Sequence, residues 1–346
     1  MKVGMYYSNS DVRIEDVPVP AVGPGELLVK VMASGICGSD LLEWYRLDRV
    51  PLVLGHEIAG QVVDAGEGET RFAQGDRVCV AHHVPCGRCH YCIGGHHTVC
   101  KTLLTTTFDP GGFSEYVRVP RINVERGTFL LPGDVGFDEA TFVEPLACVW
   151  RAHRIIGNYA GRTLMVAGSG MAGLLHIQVA RMLGAGRIIA TDVNPFRLEQ
   201  AHHFGADVTF AADDDIPALV RKANEGRGAD VIILCTGAAA AVHQALQSID
   251  RGGTIMFFAV TDRDVEIPLR PNEIFWRTEI TLTSSYAGSQ EDYAAALALI
   301  HLKKVNVGEM ITHRFPLDRI GDAFRVVAEA HDSLKVVIRP HHMEDT

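Results

Sequence analysis

What this sequence of 346 residues lacks narrows its class before any motif is read. No apolar run approaches the ~20 residues that span a bilayer; the longest, ValIleIleLeuCys at 231–235 and ThrIleMetPhePheAlaVal at 254–260, have the length of strands. No membrane association is expected. The start, MKVGMYYSNSDVRIEDV, carries one lysine and no apolar segment of the secretory kind, so the expected compartment is the cytoplasm. Stable disulfides are disfavoured there. Clusters of lysine and arginine are missing too, and 32 basic against 42 acidic residues leave a formal charge of −10, which argues against a nucleic-acid partner. Internal repeats, low-complexity tracts and proline-rich linkers are absent, so short ordered connections should join the domains. The closing HisHisMetGluAspThr reads as a frayed, solvated tail.

What is present suffices for about two globular domains. Residues 1–150 carry short β-branched runs broken by glycine and proline, among them LeuLeuValLysValMet, GlnValValAsp and ArgValCysVal, and read as β-rich. From about 151 strands alternate with alanine- and leucine-rich helical segments, the pattern of a parallel sheet with crossover helices, which makes the chain α/β. Beyond about 287 come a helical run, a strand-like IleThrHisArgPhe, a helix with Ile320, Phe324 and Val327 on one face, and a closing LysValValIleArg. Sequence pattern alone does not assign this last stretch, 288–346, to either domain.

The segment ThrLeuMetValAlaGlySerGlyMetAlaGly is a strand followed by Gly168, Gly170 and Gly173 in G-x-G-x-x-G spacing. The first glycine permits the turn, the second lets backbone approach a pyrophosphate, and the third lets helix pack on strand. The helix that opens at Met171 and Ala172 offers unpaired N–H groups and a positive dipole end to the phosphates. The next strand ends in Asp192, where a carboxylate can bind the adenosine ribose hydroxyls and repel a 2′-phosphate, so NAD is expected rather than NADP. Arg197 is a counter-signal, because a guanidinium there could accommodate NADP. Thr236 is a further expected cofactor contact. The bland alternative is that these glycines merely turn a strand into a helix.

Two groups of metal-ligand residues stand out. Cys86, Cys89, Cys92 and Cys100 have the spacing C-x2-C-x2-C-x7-C, with Gly87, Gly94 and Gly95 allowing the chain to wrap. Four thiolates make a closed tetrahedral zinc site without a vacancy for substrate; an iron–sulfur cluster would call for a different last spacing. The second group is scattered: Cys37 in SerGlyIleCysGlySerAsp, His56 and Glu57 in LeuGlyHisGluIleAlaGly, and Glu144 in PheValGluProLeuAlaCys. One Cys, one His and one carboxylate leave zinc's fourth position open. Singly, each has an ordinary reading: a buried thiol, a hydrogen-bonded core histidine, an acid at a helix start.

Together, Cys37-Gly-Ser-Asp, Gly55-His56-Glu57-x-x-Gly60-x5-Gly66, the four-cysteine loop, GlyGlyPheSerGluTyrVal at 111–117, Glu144-Pro-Leu and the glycine fingerprint, in this order, closely resemble the zinc-dependent medium-chain dehydrogenases of alcohol, sorbitol and threonine dehydrogenase type. The resemblance runs over essentially the whole chain. It implies a GroES-like β-rich catalytic domain (1–150) with a structural zinc lobe at about 82–112, a doubly wound Rossmann domain (151–287) that binds NAD, and a return of 288–346 to the first domain. It also implies two zinc ions per chain, a catalytic one between the domains and a structural one on the four cysteines. By position, Cys37 and His56 would ligate the catalytic zinc with Glu57 or Glu144 completing the set, Asp40 would orient His56, and Ser39 would take the substrate's proton. A homodimer or homotetramer is implied as well.

One position departs from the pattern. Where many family members carry a proton-relaying histidine, this chain has Leu42, so the proton is expected to leave through water or a carboxylate at the metal. Glu43 should face elsewhere. The Glu144-Pro-Leu context resembles the polyol branch, and the expected substrate is a secondary alcohol of a polyol, sugar or cyclitol, oxidised to the ketone. Alternatives are a 2,3-diol and a 3-hydroxy amino acid of the threonine kind. Substrate contacts are expected around Leu42 to Tyr45, Phe108 and Ser284 to Tyr286. Different readings are a zinc-free reductase of the same superfamily, which would lack Cys37, His56 and the cysteine loop, and a non-catalytic NAD-binding scaffold, which predicts a broken site. His82, His83, His90, His96 and His97 around the loop are expected to be surface or packing residues, and Cys148 a packing residue.

Overall fold

A computed structural model describes residues 1–341; the tail from 342 on lies outside the described residues. His341, assigned above to the frayed end, is held in place: its Nε2 lies 3.1 Å from the Glu115 carbonyl and its ring stands edge-on to Tyr116. The chain forms two compact units, Met1–Ala147 with the chain from Ala287 onward, and Cys148–Tyr286. The division falls inside one helix, Val143–Ile156, which opens with Glu144-Pro-Leu. No helix among the described residues is long and apolar enough to cross a membrane.

The first unit is built on a seven-stranded sheet in the order Ile311–Pro316, Lys335–Arg339, Leu27–Gly35, Glu57–Ala65, Arg77–Ala81, Thr128–Leu130, with Tyr116–Val119 also paired to Leu27–Gly35. Period-2 side-chain alternation explains why LeuLeuValLysValMet becomes a strand: Leu27, Val29 and Val31 are fully buried while Leu28, Lys30 and Met32 are not. The buried set packs with Ile58, Val62, Val78, Val80 and Phe108 into one core. The two C-terminal strands, whose ownership the sequence left open, join this sheet through Val337 opposite Gly35 and Ile338 opposite Ser34. Ile320 and Phe324 of the helix Ile320–Glu329 are buried in the adjoining cluster, with Val327 packed against it.

The second unit is a six-stranded, all-parallel sheet: Val208–Ala211, Arg187–Asp192, Thr163–Ala167, Ala229–Leu234, Ile249–Phe257, Thr281–Ser284. Counted along the unit this is the order 3-2-1-4-5-6, with the topological switch between Thr163–Ala167 and Ala229–Leu234. Thr163–Ala167 is buried at every residue, as a parallel strand covered on both faces requires. The crossover helices start on caps written in the sequence. Asn194 accepts from the Phe196 amide with Pro195 in the first turn, and Asp215 accepts from the Ala218 amide.

Candidate metal centres and nucleotide site

Strand register assembles the first centre. Glu57 pairs with Gly35 on one side and with Ala81 on the other, so the residues just beyond these paired ends, Cys37, His56 and His82, arrive at one edge of the sheet. A ligand atom from each of Cys37, His56 and Glu57 lies within 4.8 Å of the others. Glu144 stands outside this group and lines a small cavity with Ile58, Val80, Ala140 and Tyr293. Gly55 explains the turn into His56: its φ is +90°, and a Cβ would collide with the backbone of Gly112 and Phe113. The GlyGlyPheSer segment is the buttress of that turn, because the amides of Gly112 and Phe113 donate to the carbonyls of Gly55 and Leu54 at 2.8 and 2.9 Å.

Around the group the polar atoms are arranged for a cation. Asp40 is fully buried; its Oδ2 accepts from the Cys37 amide at 3.0 Å, and its Oδ1 lies 3.3 Å from His56 Nδ1 and 3.7 Å from Arg46. The His56 contact has ion-pair distance without hydrogen-bond alignment. Burial opposes ionisation of Asp40, but His56, Arg46 and the Cys37 amide outweigh it and hold the carboxyl below its usual range. With Nδ1 facing Asp40, His56 has only Nε2 for a metal. Ser39 Oγ donates to Cys37 Sγ at 3.4 Å. Glu57, fully buried, gives Oε2 to the ammonium of Lys335, which also donates to the Ile36 carbonyl at 3.3 Å; its Oε1 is buried with no hydrogen-bond partner. One thiol, one imidazole and an orphaned carboxylate oxygen form a donor set that fits zinc with a position to spare. Leu42 sits half-buried after the short helix Gly38–Leu41, and Glu43 faces away, accepting from the Asn9 amide at 2.9 Å.

Two neighbours were missed by the sequence reading. His82 was expected to be a surface or packing residue of the cysteine loop. It packs, but against the strand end rather than the loop: its ring lies 4.8 Å from that of His56 and 3.8 Å from that of His83, edge-on to the buried Phe108, with Nδ1 buried and unpartnered. Burial, with the charges of His83, His56 and Arg46 adding to it, pushes His82 well below the ordinary histidine range. Lys335 was read only as part of a closing strand. The signal that could have found both was register: Glu57 opposite Ala81 brings His82 to the group, and Val337 opposite Gly35 brings Lys335.

The second centre is the cysteine loop. The Sγ atoms of Cys86, Cys89, Cys92 and Cys100 all lie within 4.8 Å of one another, and all four are free thiols. Gly87 and Gly95 take φ of +72° and +82°, and the amides of Cys89 and Cys86 donate to Cys86 Sγ and Cys100 Sγ at 3.3 and 3.4 Å. Burial and neighbouring sulfurs push Cys92 up, whereas amide donors outweigh burial at Cys100 and draw it down to about 6. Four thiols so coupled suit one divalent cation that keeps all of them ionised. The cluster packs on Leu103 and Ala287. Of the nearby histidines, His90 and His96 are exposed and His97 half-buried, whereas His83 is tucked in with Nδ1 2.7 Å from the Thr106 carbonyl.

The nucleotide site lies within the second unit. Gly168 follows the strand Thr163–Ala167 with φ +94°, beside Cys235 and Thr236 at the end of the neighbouring strand. Gly170 is the N-cap of the helix Met171–Met182, and a Cβ on Gly173 would strike the Gly168 carbonyl. Asp192, 6% exposed, accepts from the amides of Ser169 and Asn194 at 2.7 and 2.9 Å, so it first shapes the glycine turn. The Arg197 guanidinium comes 3.9 Å from the place of a Cβ on Gly170, with Nε buried and without a hydrogen-bond partner.

Comparison with known proteins agrees with this architecture. Residues 23–126 match the family described as alcohol dehydrogenase GroES-like domain, and residues 172–301 that described as zinc-binding dehydrogenase. The chain is 32% identical to a sorbitol dehydrogenase of Bacillus subtilis over 99% of its own length and 98% of the relative's. It is 33% identical to an L-threonine 3-dehydrogenase of Thermococcus kodakarensis, covering 95% of each chain. A solved structure from Sinorhizobium meliloti 1021, described as a candidate zinc-binding dehydrogenase bound to NADP, superposes with TM-score 0.87 at 31% identity, covering 98% of this chain and 99% of that one. With a GroES-like sheet unit, a parallel nucleotide-binding sheet and relatives of this kind along its whole length, the chain belongs to the zinc-dependent medium-chain dehydrogenases, oxidoreductases that use NAD(P).

Proposed function

We propose that the protein interconverts a secondary alcohol of a polyol, sugar or cyclitol and its ketone, with NAD as the hydride acceptor. The observation that carries this reading is the open donor set of Cys37, His56 and Glu57 with the Ser39 hydroxyl beside it. A zinc ion there supplies Lewis acidity, lowering the pKa of an alcohol so that it can lose its proton near neutral pH. The chain's own groups do the rest. Asp40 keeps His56 turned with Nε2 to the site, and Lys335 fixes one oxygen of Glu57 so that the other is offered. Ser39 would accept the hydroxyl proton, and NAD, when bound, would supply the hydride acceptor, so that alcohol and NAD give ketone, NADH and one proton overall. With Leu42 where a histidine could stand, that proton leaves through water or through Glu57. The four cysteines would hold a second, structural zinc.

The preference for NAD rests on Asp192, whose carboxylate disfavours a 2′-phosphate. A second reading, NADP, has one observation in its favour: the unpartnered Nε of Arg197 near Gly170. The sorbitol and threonine dehydrogenases among the relatives support a substrate bearing a polar group beside the carbinol. A screen by NADH fluorescence against polyols, sugars, cyclitols, diols and threonine tests the assignment. Turnover of polyols or cyclitols is expected; a response to simple primary alcohols alone refutes it.

A further inference from the structure

We infer that Arg88 and Arg126 are the counter-charges of the four-cysteine metal centre: their guanidiniums neutralise the tetrathiolate that forms when a divalent cation loads, and so set how tightly the loop holds it. The inference rests on the reading of the cysteine loop as a structural zinc site and adds to it the residues that stabilise its charge.

Loading replaces the thiol protons by one zinc ion, and four thiolates around that ion leave two negative charges. Water can do little for them on one side, because Cys92 and Cys100 are buried and the cluster packs on Leu103 and Ala287. On the other side Cys86 lines a depression of about 340 Å³ together with Arg88, Arg121, Ile122, Glu125 and Arg126. The one carboxylate there is already taken, since Arg121 Nε donates to Glu125 Oε1 at 2.7 Å. Arg88 and Arg126 are left without a carboxylate at ion-pair distance among the described residues, in a chain whose formal charge is −10.

Arg126 is also held in position. Its guanidinium lies against the place of a Cβ on Gly87, the residue after Cys86, which is a second reason besides a φ of +72° for a bare backbone there. The helix that carries it, Arg121–Gly127, is pinned to the chain entering the loop: the buried Asn123 amide donates to the carbonyls of Ala81 and His82 at 2.9 and 2.8 Å. The competing reading of two unpaired guanidiniums beside a hollow is a site for an anion from solution. Charge decides against it, because two guanidiniums and a tetrathiolate cancel and the loaded depression keeps no net attraction for a phosphate.

The test measures metal affinity in wild type, Arg126→Gln, Arg126→Lys, Arg88→Gln and the double variant Arg88→Gln with Arg126→Gln. Cobalt(II) loads the loop in the apo-protein and zinc then displaces it. The sulfur-to-cobalt charge-transfer absorption, far stronger for four thiolates than for the single thiolate of the other centre, reports this site. Arg126→Gln should weaken zinc binding about three- to tenfold, the exposed Arg88→Gln less, and the double variant most. Arg126→Lys keeps the charge and should stay within about twofold of wild type. The differences should shrink as salt rises from about 0.05 to about 0.5 M, which a loss of packing would not do. Equal zinc affinity in all the proteins, a lysine variant as weak as the glutamine variant, or a loss indifferent to salt overturns the inference and leaves the structural-zinc reading intact. So does calorimetric binding of inorganic phosphate to zinc-loaded wild type that disappears in the double variant, which would assign the guanidiniums to an anion from solution. A wild-type loop that takes up neither metal overturns both.

Discussion

The second unit contains a buried chain of three polar side chains that makes its stability depend on pH. The Tyr159 hydroxyl lies 2.6 Å from His153 Nδ1, and His153 Nε2 lies 3.0 Å from His176 Nδ1. The other nitrogen of His176 is buried without a partner, its ring edge-on to Phe258. Both imidazoles are almost wholly buried, at 2% and 0% exposure. Desolvation takes His153 down to about 3 and His176 well below its usual range, so both are neutral in the fold. In the unfolded chain each titrates near 6.5, so the unfolded state binds more protons below that pH. The stabilisation is complete above about 6.5 and is lost as pH falls below it. At pH 5.5 the loss is set by the unfolded-state value alone and comes to about 1.4 kcal/mol per histidine, about 3 kcal/mol for the pair. Urea unfolding followed by circular dichroism at pH 7.5 and 5.5, with zinc saturating throughout, measures it. In His176→Met the pH-dependent loss should shrink by about 1.4 kcal/mol relative to wild type, whatever the variant costs in packing. Identical losses in the two proteins would refute the claim that His176 is held neutral.

Three further outcomes follow from the sites. Cys92→Ser should release one zinc per chain, measured by elemental analysis, and expose the 86–100 loop to limited proteolysis, because a closed thiolate site holds its loop only while metal-bound. Lys335→Met should destabilise the chain by about 3–5 kcal/mol in denaturant unfolding by leaving the buried Glu57 carboxylate uncompensated, and Lys335→Met with Glu57→Gln should recover most of that loss without recovering activity. Asp192→Ser should move the ratio of kcat/KM for NAD over NADP at least tenfold toward NADP, as the repulsion goes and Arg197 stays; an unmoved ratio would show that Asp192 serves only the glycine turn it holds.

How far the sequence could be read depended on whether the information was local. The glycine spacing, the strand before it and Asp192 after it are local signals: Gly168 has a φ of +94° that side chains rarely adopt, and at Gly173 backbone contact forbids a side chain. The cysteine spacing is equally local, since one loop with two glycines of positive φ is enough to bring four sulfurs together. The scattered donors were harder. Cys37 and His56 could be grouped only through the family resemblance, because their proximity is created by pairing Gly35 with Glu57, and register is not written in either strand alone. The choice between Glu57 and Glu144 had the same obstacle. His82 is adjacent in sequence to the cysteine loop but belongs in space to the strand end at Ala81, and its closeness to His56 is again a matter of register. Lys335 is separated from Glu57 by 278 residues, and no periodicity or motif connects them.

The central claim is a division of labour between two metal centres, one closed and supporting, one open and chemical. Zinc content and alcohol oxidation measured together on wild type and Cys37→Ser test it most directly. The account predicts about two zinc per chain in the wild type, and about one in the variant with oxidation abolished and NADH binding retained. A Cys37→Ser protein that keeps both zinc ions, or still oxidises alcohol at the wild-type rate, would contradict it.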